Sequence, residues 1–467
     1  MTREGGDDDA VKSIGCNRGS GQPRLQPSRR PHHAGRFDSN RVDDDHGSAP
    51  GVTADDAAKD LVPPLSTTAR METGEGTLNG GAQGGEPPVT TDGPGRPRSK
   101  FRLGNRPPLT GFRAFALTTV LVYHSNFRTW PGSWIAIQMF FVLSGFLITS
   151  MLAAEGDRKG RISLRSFYAR RAARLLPPLA LTIVLILIYA ALVNVSEAST
   201  RVWGDSAAAL FYFADYRQAF GHEPFFGYLA QTWSLSIEEQ FYVIWSVLMV
   251  TSVALHKRAL AYGFATFGML FSVADRLWLA DSPSHFTNAD FTRIYYAFDT
   301  RADALFLGCL LGLLATDGYL NEWSRGLRKV LGAAAVASVG FLIWILYNAP
   351  LFQKVMVVWW IPLTTIASAI IIAHFVINSD KWGARIVGLG VFVFLGDLTY
   401  TLYLVHWPIY LAIQPNGTHW GYWPTELVRL AIIFAIAIGS WFLIEKPLLR
   451  WRQRSAAKAI GPTTAQP

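Results

Sequence analysis

The chain is short of charge, short of cysteine and, over its first hundred residues, empty of apolar runs. Only 16% of its 467 residues are Asp, Glu, Lys or Arg, against about a quarter in an ordinary soluble domain. Most of it is therefore not built to meet water. There are two cysteines, Cys16 in a polar stretch and Cys309 in an apolar one; they exclude a disulfide framework and a thiolate metal site. The histidines are scattered apart from His32 and His33 in the polar N-terminal part, so no metal is expected. The first apolar run begins near residue 109, which leaves no cleavable signal peptide to read. Met71 offers an alternative start.

What is present is hydrophobic. Half of the residues are apolar, with 16 Trp, 16 Tyr and 29 Phe. Charges gather between apolar runs of membrane-crossing length, the profile of a polytopic membrane protein. The expected fold is all-α: a bundle of about ten transmembrane helices behind a disordered tail. Residues 1–105 form that tail, rich in Gly, Pro, Asp, Arg and Ser; 106–450 form the membrane domain and 451–467 a cytoplasmic C-terminal tail. The spans are placed at 109–127, 134–153, 176–194, 235–255, 260–279, 301–316, 329–347, 357–377, 391–413 and 427–444. The sixth is short and starts with charge. A further apolar piece, 206–214, is too short to cross and is expected to lie in the interface or re-enter.

Loop charge tests this count. The net charge is +9, yet residues 1–105 hold fourteen basic against fifteen acidic residues, so the excess belongs to the membrane part. Arg102 and Arg106 precede span one, Arg158 to Arg174 follow span two, and His256 to Arg258 follow span four. Arg325 to Lys329 precede span seven, Lys381 and Arg385 precede span nine, and Lys446 to Arg454 follow span ten. All fall on one side with ten crossings and both termini cytoplasmic. Topology thus explains the basicity, and nucleic acid is not an expected partner. Trp130, Trp134, Trp359, Trp360, Trp420 and Trp423 at span ends fit interfacial belts.

Span one carries Arg113 and, eleven residues later, His124. At about 1.5 Å per residue they stand roughly 16 Å apart along the axis. A fixed cation sits near the cytoplasmic face and a proton-transferring imidazole beyond the midplane, where ionisable groups have a use by default.

Seven stretches in order resemble acyltransferase family 3, a family of integral membrane O-acyltransferases. They are LTGFRA (109–114) leading to His124, FFVLSGFLIT (140–149), FYARRAARLLP (167–177), TWSLSIEEQFY (232–242), FDTRADAL (298–305), TYTLYLVHWP (399–408) and EKP (445–447). The resemblance implies transfer of an acyl group, often acetyl, from cytoplasmic acyl-CoA to a hydroxyl on a glycan, a lipid-linked sugar or a secondary metabolite. Some relatives carry an extracytoplasmic esterase-like domain; this chain ends about twenty residues after span ten and is expected to lack one. It departs from the family pattern at Thr110, Gln138 and Gln231, each neutral where the family has an ionisable group, which bears on how His124 is oriented.

The resemblance makes His124 the base, and an imidazole suits deprotonation of a hydroxyl near neutral pH; its bland reading is a helix cap at the outer interface. Arg113 holds a donor phosphate, steadies an oxyanion or snorkels. Arg170, Arg171 and Arg174 match the motif linked to the donor, and Arg171 and Arg174 share a helix face; ordinary positive-inside charge is their alternative. At the outer start of span four, Trp233, Ser234 and Glu238 read as acceptor-side groups, with Glu238 orienting a hydroxyl or pairing with His124, or as an N-cap with acids in the first turn. Asp299 and Arg301, with Asp303, either line a substrate path or form a structural ion pair. His406 is a second relay or a packed core histidine. Ser144 and Gly145 fit close helix packing.

The function expected is membrane O-acyl transfer, probing the bilayer as its setting, acyl-CoA as donor and an envelope glycan or glycolipid as acceptor. The alternative is a proton-coupled solute transporter, although no paired internal symmetry is visible. Acyl length, acceptor and oligomeric state are not fixed by the sequence.

Overall fold

An almost unbroken apolar run with small residues at intervals makes α2 (Ile135–Lys159), and the bundle is arranged around it. The computed structural model describes residues 106–125, 130–193, 196–221, 227–281, 286–349, 351–414 and 420–451. The expected N-terminal tail, the alternative start at Met71 and residues 452–467 lie outside them. The described residues contain helices and no strand. In chain order these are α1 (Pro107–His124), α2, α3 (Leu164–Val193), α4 (Ser196–Leu210), α5 (Ala214–Phe220), α6 (Trp233–Ala254), α7 (Arg258–Ala280), α8 (Asn288–Tyr296), α9 (Phe298–Arg301), α10 (Asp303–Thr316), α11 (Arg325–Asn348), α12 (Ile361–Ile377), α13 (Trp382–Val387), α14 (Gly390–Ala412) and α15 (Tyr422–Ser440).

Each of the ten stretches expected to span falls on a helix. Five helices are long and apolar enough to cross a bilayer by length and composition: α2, α3, α11, α12 with the π-helical turn before it, and α15 with its continuation to Trp451. The chain is a multi-pass membrane protein. α10 is apolar but shorter. Others are diluted by polar side chains turned into the bundle, such as Glu238 of α6, Arg276 of α7 and His406 of α14. The outer helices show the opposite pattern: Ile188 and Leu192 of α3 and Leu427 of α15 are exposed, as lipid-facing residues should be.

Four glycine contacts set the geometry. Gly145 of α2 lies on the Leu305 carbonyl of α10, and Gly308 of α10 lies on the Val142 carbonyl of α2, so the two backbones touch. On the other side, Gly396 of α14 abuts the Thr110 carbonyl of α1, and Gly111 of α1 abuts Val387. A Cβ fits at none of these points. We expect Gly145→Leu to split α2 from α10 and to abolish a monodisperse peak in detergent gel filtration, whereas Gly263→Leu, where an added Cβ meets nothing within 4 Å, is tolerated.

The 206–214 piece forms the last turns of α4, the turn after it and the first residue of α5, with Ala209 packed in a cluster with Leu179 and Ile186 of α3. One expectation is corrected. Trp134 is not an interfacial residue; it is buried, and its indole N–H donates to the Ala349 carbonyl at 2.8 Å, which is where a buried indole must find a partner. Trp359, Trp420 and Trp423 are exposed as expected.

Candidate active site

Where α1, α2, α3, α6 and α14 meet, they leave a cleft of about 230 Å³. Arg113, Ser144, Arg171, Arg174, Glu238, Tyr242, Tyr400 and Tyr403 line it. A second cavity of about 250 Å³ shares Arg113, Ser144, Arg171, Arg174 and Tyr242 with the first and continues to Thr110 and Arg106 at the start of α1. The cleft is basic at the end formed by α3 and the start of α1, and lined by hydroxyls at the other.

The three α3 arginines differ. Arg171 is bound: Nη2 and Nε donate to Glu239 Oε1 at 2.6 and 3.2 Å, and the guanidinium stands 3.6 Å from the centre of the Tyr242 ring. Arg170 lies at the rim, donating to Ser166 and 3.6 Å from Glu155. Arg174 faces the cleft with neither hydrogen bond nor ion pair among the described residues, and so does Arg113. Glu238 lines the same cleft, and Asp397 and Glu445 act on Arg174 through their charge, but neither arginine has a carboxylate within ion-pair distance among the described residues.

Glu238 is already engaged. Oε1 accepts from Ser144 at 3.1 Å and Oε2 from Tyr242 at 2.9 Å, so it does not pair with His124, contrary to one expectation. Ser144 therefore does more than allow close packing. Ser234 shares a hydrogen bond of 2.7 Å with the Tyr403 hydroxyl, which also reaches the Gln231 carbonyl at 2.7 Å.

Arg113 and His124 lie on one unbroken helix, as their spacing predicts. His124 is half-buried and does not line the cleft. Its Nδ1 sits 2.9 Å from the Val120 carbonyl. A carbonyl accepts only, so Nδ1 carries the proton in the neutral ring and Nε2 is left as the basic nitrogen. The ring packs against Trp407 at 4.9 Å and His406 at 5.1 Å, centre to centre. His406 repeats the arrangement, with Nδ1 on the Tyr403 carbonyl at 2.6 Å and a buried Nε2 that has no partner. It is thus a core histidine and a neighbour of His124 at once. Tyr403, 5.4 Å from His406, is the cleft residue that adjoins the pair.

Residues 108–446 match the acyltransferase family 3 model, described as an acyltransferase domain. The chain belongs to acyltransferase family 3. Among curated relatives, a putative O-acetyltransferase of Staphylococcus aureus is 32% identical over 74% of this chain and 59% of its own length. A putative peptidoglycan O-acetyltransferase of Bacillus subtilis is 28% identical over 76% of this chain and 56% of its own. The peptidoglycan O-acetyltransferase OatA of Listeria monocytogenes is 29% identical over 73% of this chain and 55% of its own. The chain therefore spans little more than half the length of these relatives. No solved structure matches it.

The remaining candidates of this family 3 chain fall outside the cleft. Trp233 packs against Tyr295, tilted at 5.2 Å, and edge-on against Tyr296 at 4.9 Å, and does not line the cavity. Asp299 is bound by Arg293 through two contacts of 2.9 and 2.6 Å. Arg301 is fully buried over the Tyr295 ring. With its amide oriented to suit both neighbours, Gln138 accepts from both terminal nitrogens of Arg301, at 3.0 and 2.7 Å. Gln231 donates to the Leu404 carbonyl at 2.8 Å. The neutral residues at the positions where the family has ionisable groups thus hold Arg301 and α14, while His124 takes its orientation from Val120 and its ring neighbours. Sequence reasoning missed Tyr242, Tyr400 and Tyr403 as lining residues, although all three stand inside quoted motifs, Tyr242 one helical turn after Glu238 and Tyr403 three residues before His406.

Proposed function

We propose that this domain transfers an acyl group, acetyl by analogy with its relatives, from cytoplasmic acyl-CoA to a hydroxyl of an envelope glycan on the other side of the membrane. Peptidoglycan is the acceptor to test first, since relatives in two genera are described as acting on it. The observation that carries the reading is the cleft lined by Arg113 and Arg174, neither of which has a hydrogen bond or ion pair among the described residues. In the topology that loop charge favours, ten crossings with both termini cytoplasmic, that basic end is inside and His124 faces outward.

The pyrophosphate lies against Arg174 and Arg113, with Arg171 fixed beside them by Glu239. The thioester then extends along the Ser144–Glu238 wall toward Ser234 and Tyr403. His124 Nε2 takes the proton of the acceptor hydroxyl as its oxygen attacks the thioester carbon; the carbon–sulfur bond breaks and the CoA thiolate leaves. Tyr403 lines the cleft and packs against His406, which packs against His124, so the acyl group and the acceptor would meet past Tyr403. Membership of an acyltransferase family speaks for this chemistry against solute transport.

The test is release of free CoA thiol from acetyl-CoA by sealed vesicles, with the acceptor glycan on the opposite face. Thioester consumption matched by acetyl on the glycan supports the reading; proton-coupled solute flux without it overturns the reading. Arg174→Ala is expected to raise KM for acetyl-CoA about tenfold to a hundredfold, the worth of one charged hydrogen bond.

A further inference from the structure

Beyond the cleft, on the side where α1 begins, lies a further and more open cavity of about 380 Å³. The residues that form it are Arg106, Pro107 and Pro108 at the start of α1, Ser379 in the turn after α12, and Ala384, Arg385 and Gly388 of α13 and its end. Arg106 also lines the neighbouring cavity that holds Arg113, Arg171 and Arg174. One residue thus lines both spaces, with Arg174 and Arg113 in the inner cavity and Arg385 in the outer one.

Close packing builds this outer space. A Cβ on Gly388 would stand 3.3 to 3.4 Å from Pro107 and Pro108, and Gly111 abuts the Val387 carbonyl, so α13 is pressed onto the first turn of α1. Arg106 is anchored there by Nη1, 3.3 Å from the Val376 carbonyl and 3.4 Å from Ser379 Oγ. Arg385 has no hydrogen bond or ion pair among the described residues. The acid of the same loop, Asp380, is paired with Lys381 at 3.2 Å and acts on the exposed Arg385 through its charge without an ion-pair contact. A topology signal needs only positive charge in water near the membrane. It does not need two arginines in the wall of a cavity that adjoins a phosphate-binding cleft and has the size of a small-molecule pocket.

We infer that this cavity is a second phosphate site, and that it binds the 3′-phosphoadenosine end of the CoA donor. The inference rests on the reading of the cleft as the CoA site. CoA carries its third phosphate on the ribose, beyond the pyrophosphate, so a donor whose pyrophosphate lies at Arg174 and Arg113 needs a further cation outward of them. Arg385 and Arg106 supply it, as bidentate forks suited to phosphate oxygens. Pro107 and Pro108 offer an apolar wall for the base. Arg385 is then a specificity residue that separates CoA from nucleotide thioesters lacking the 3′-phosphate.

The experiment compares acetyl-CoA with acetyl-dephospho-CoA as donors, in vesicles holding the full chain. The unsubstituted protein is expected to show a KM at least about tenfold higher for the dephospho donor, one charge-assisted contact being worth that much. In Arg385→Ala the ratio of the two KM values falls toward one, and in Arg385→Glu the dephospho donor becomes the better substrate. Arg325→Ala, the loss of an equal charge at the start of α11, keeps the original ratio. Calorimetric binding of CoA and dephospho-CoA gives the same comparison for a variant too slow to assay. Equal use of both donors by the unsubstituted protein, or full discrimination surviving in Arg385→Ala, overturns the inference. Absence of any acetyl-CoA consumption or CoA binding by the unsubstituted protein overturns instead the assignment of the cleft.

Discussion

His124→Ala is expected to lower acyl transfer by about a hundredfold to ten-thousandfold, the usual worth of a positioned general base, while KM for acetyl-CoA changes little. The reasoning is geometric. Val120 holds the Nδ1 proton, which leaves Nε2 as the only basic atom of the ring, and the ring does not line the cleft proposed for the donor phosphates. Removing it should therefore change the chemical step and leave donor binding alone. The measurement is kcat and KM in vesicles, with insertion checked by detergent gel filtration. A correctly folded His124→Ala protein of normal kcat removes this imidazole from the mechanism. An equal rise in KM would show instead that the side chain supports the cleft through Trp407 and His406, its ring neighbours.

The largest expected effect on stability lies elsewhere. Arg276 is fully buried; Nη2 donates to Asp303 at 2.9 Å and Nη1 to the Thr300 carbonyl at 2.8 Å, which ties α7 to the start of α10. Asp303 Oδ1 has no partner. Arg276→Met leaves that carboxylate buried without a hydrogen-bonded cation, only the charge of Arg301 still acting on it, a change that costs about 3–5 kcal/mol. The double variant Arg276→Met with Asp303→Leu is expected to recover most of the loss, because an apolar pair of similar size meets no such penalty. Thermal unfolding in detergent measures both. If the double variant is no more stable than the single one, the pair matters for its shape and not for its charge. The same pair answers one question left open by the sequence. Asp303 and Asp299 do serve structural ion pairs, but with Arg276 and Arg293, and Arg301, which sits between them, is held by Gln138.

The helices were legible because each depends on residues a few positions away. The eleven-residue step from Arg113 to His124 is a step along one helix, and the structure keeps it. The motif arginines Arg171 and Arg174 both reach the cleft for the same reason. Trp233, Asp299 and Arg301 stand in equally recognisable motifs, yet face packed aromatic rings or an ion pair, since a motif does not say whether a hollow lies in front of it.

Composition, apolar period and loop charge by themselves determined an all-helical membrane protein, and the order of its motifs determined its family. Only the tertiary structure decided that Ser144 meets Glu238, that His406 meets His124 across 282 positions of sequence, and that Arg106 joins the cleft to a cavity beside Arg385. The reason is that these meetings are set by where two backbones can touch. Gly396 against Thr110, and Gly145 against Leu305, bring α14 to α1 and α2 to α10, and such a contact leaves no trace in the periodicity of either helix.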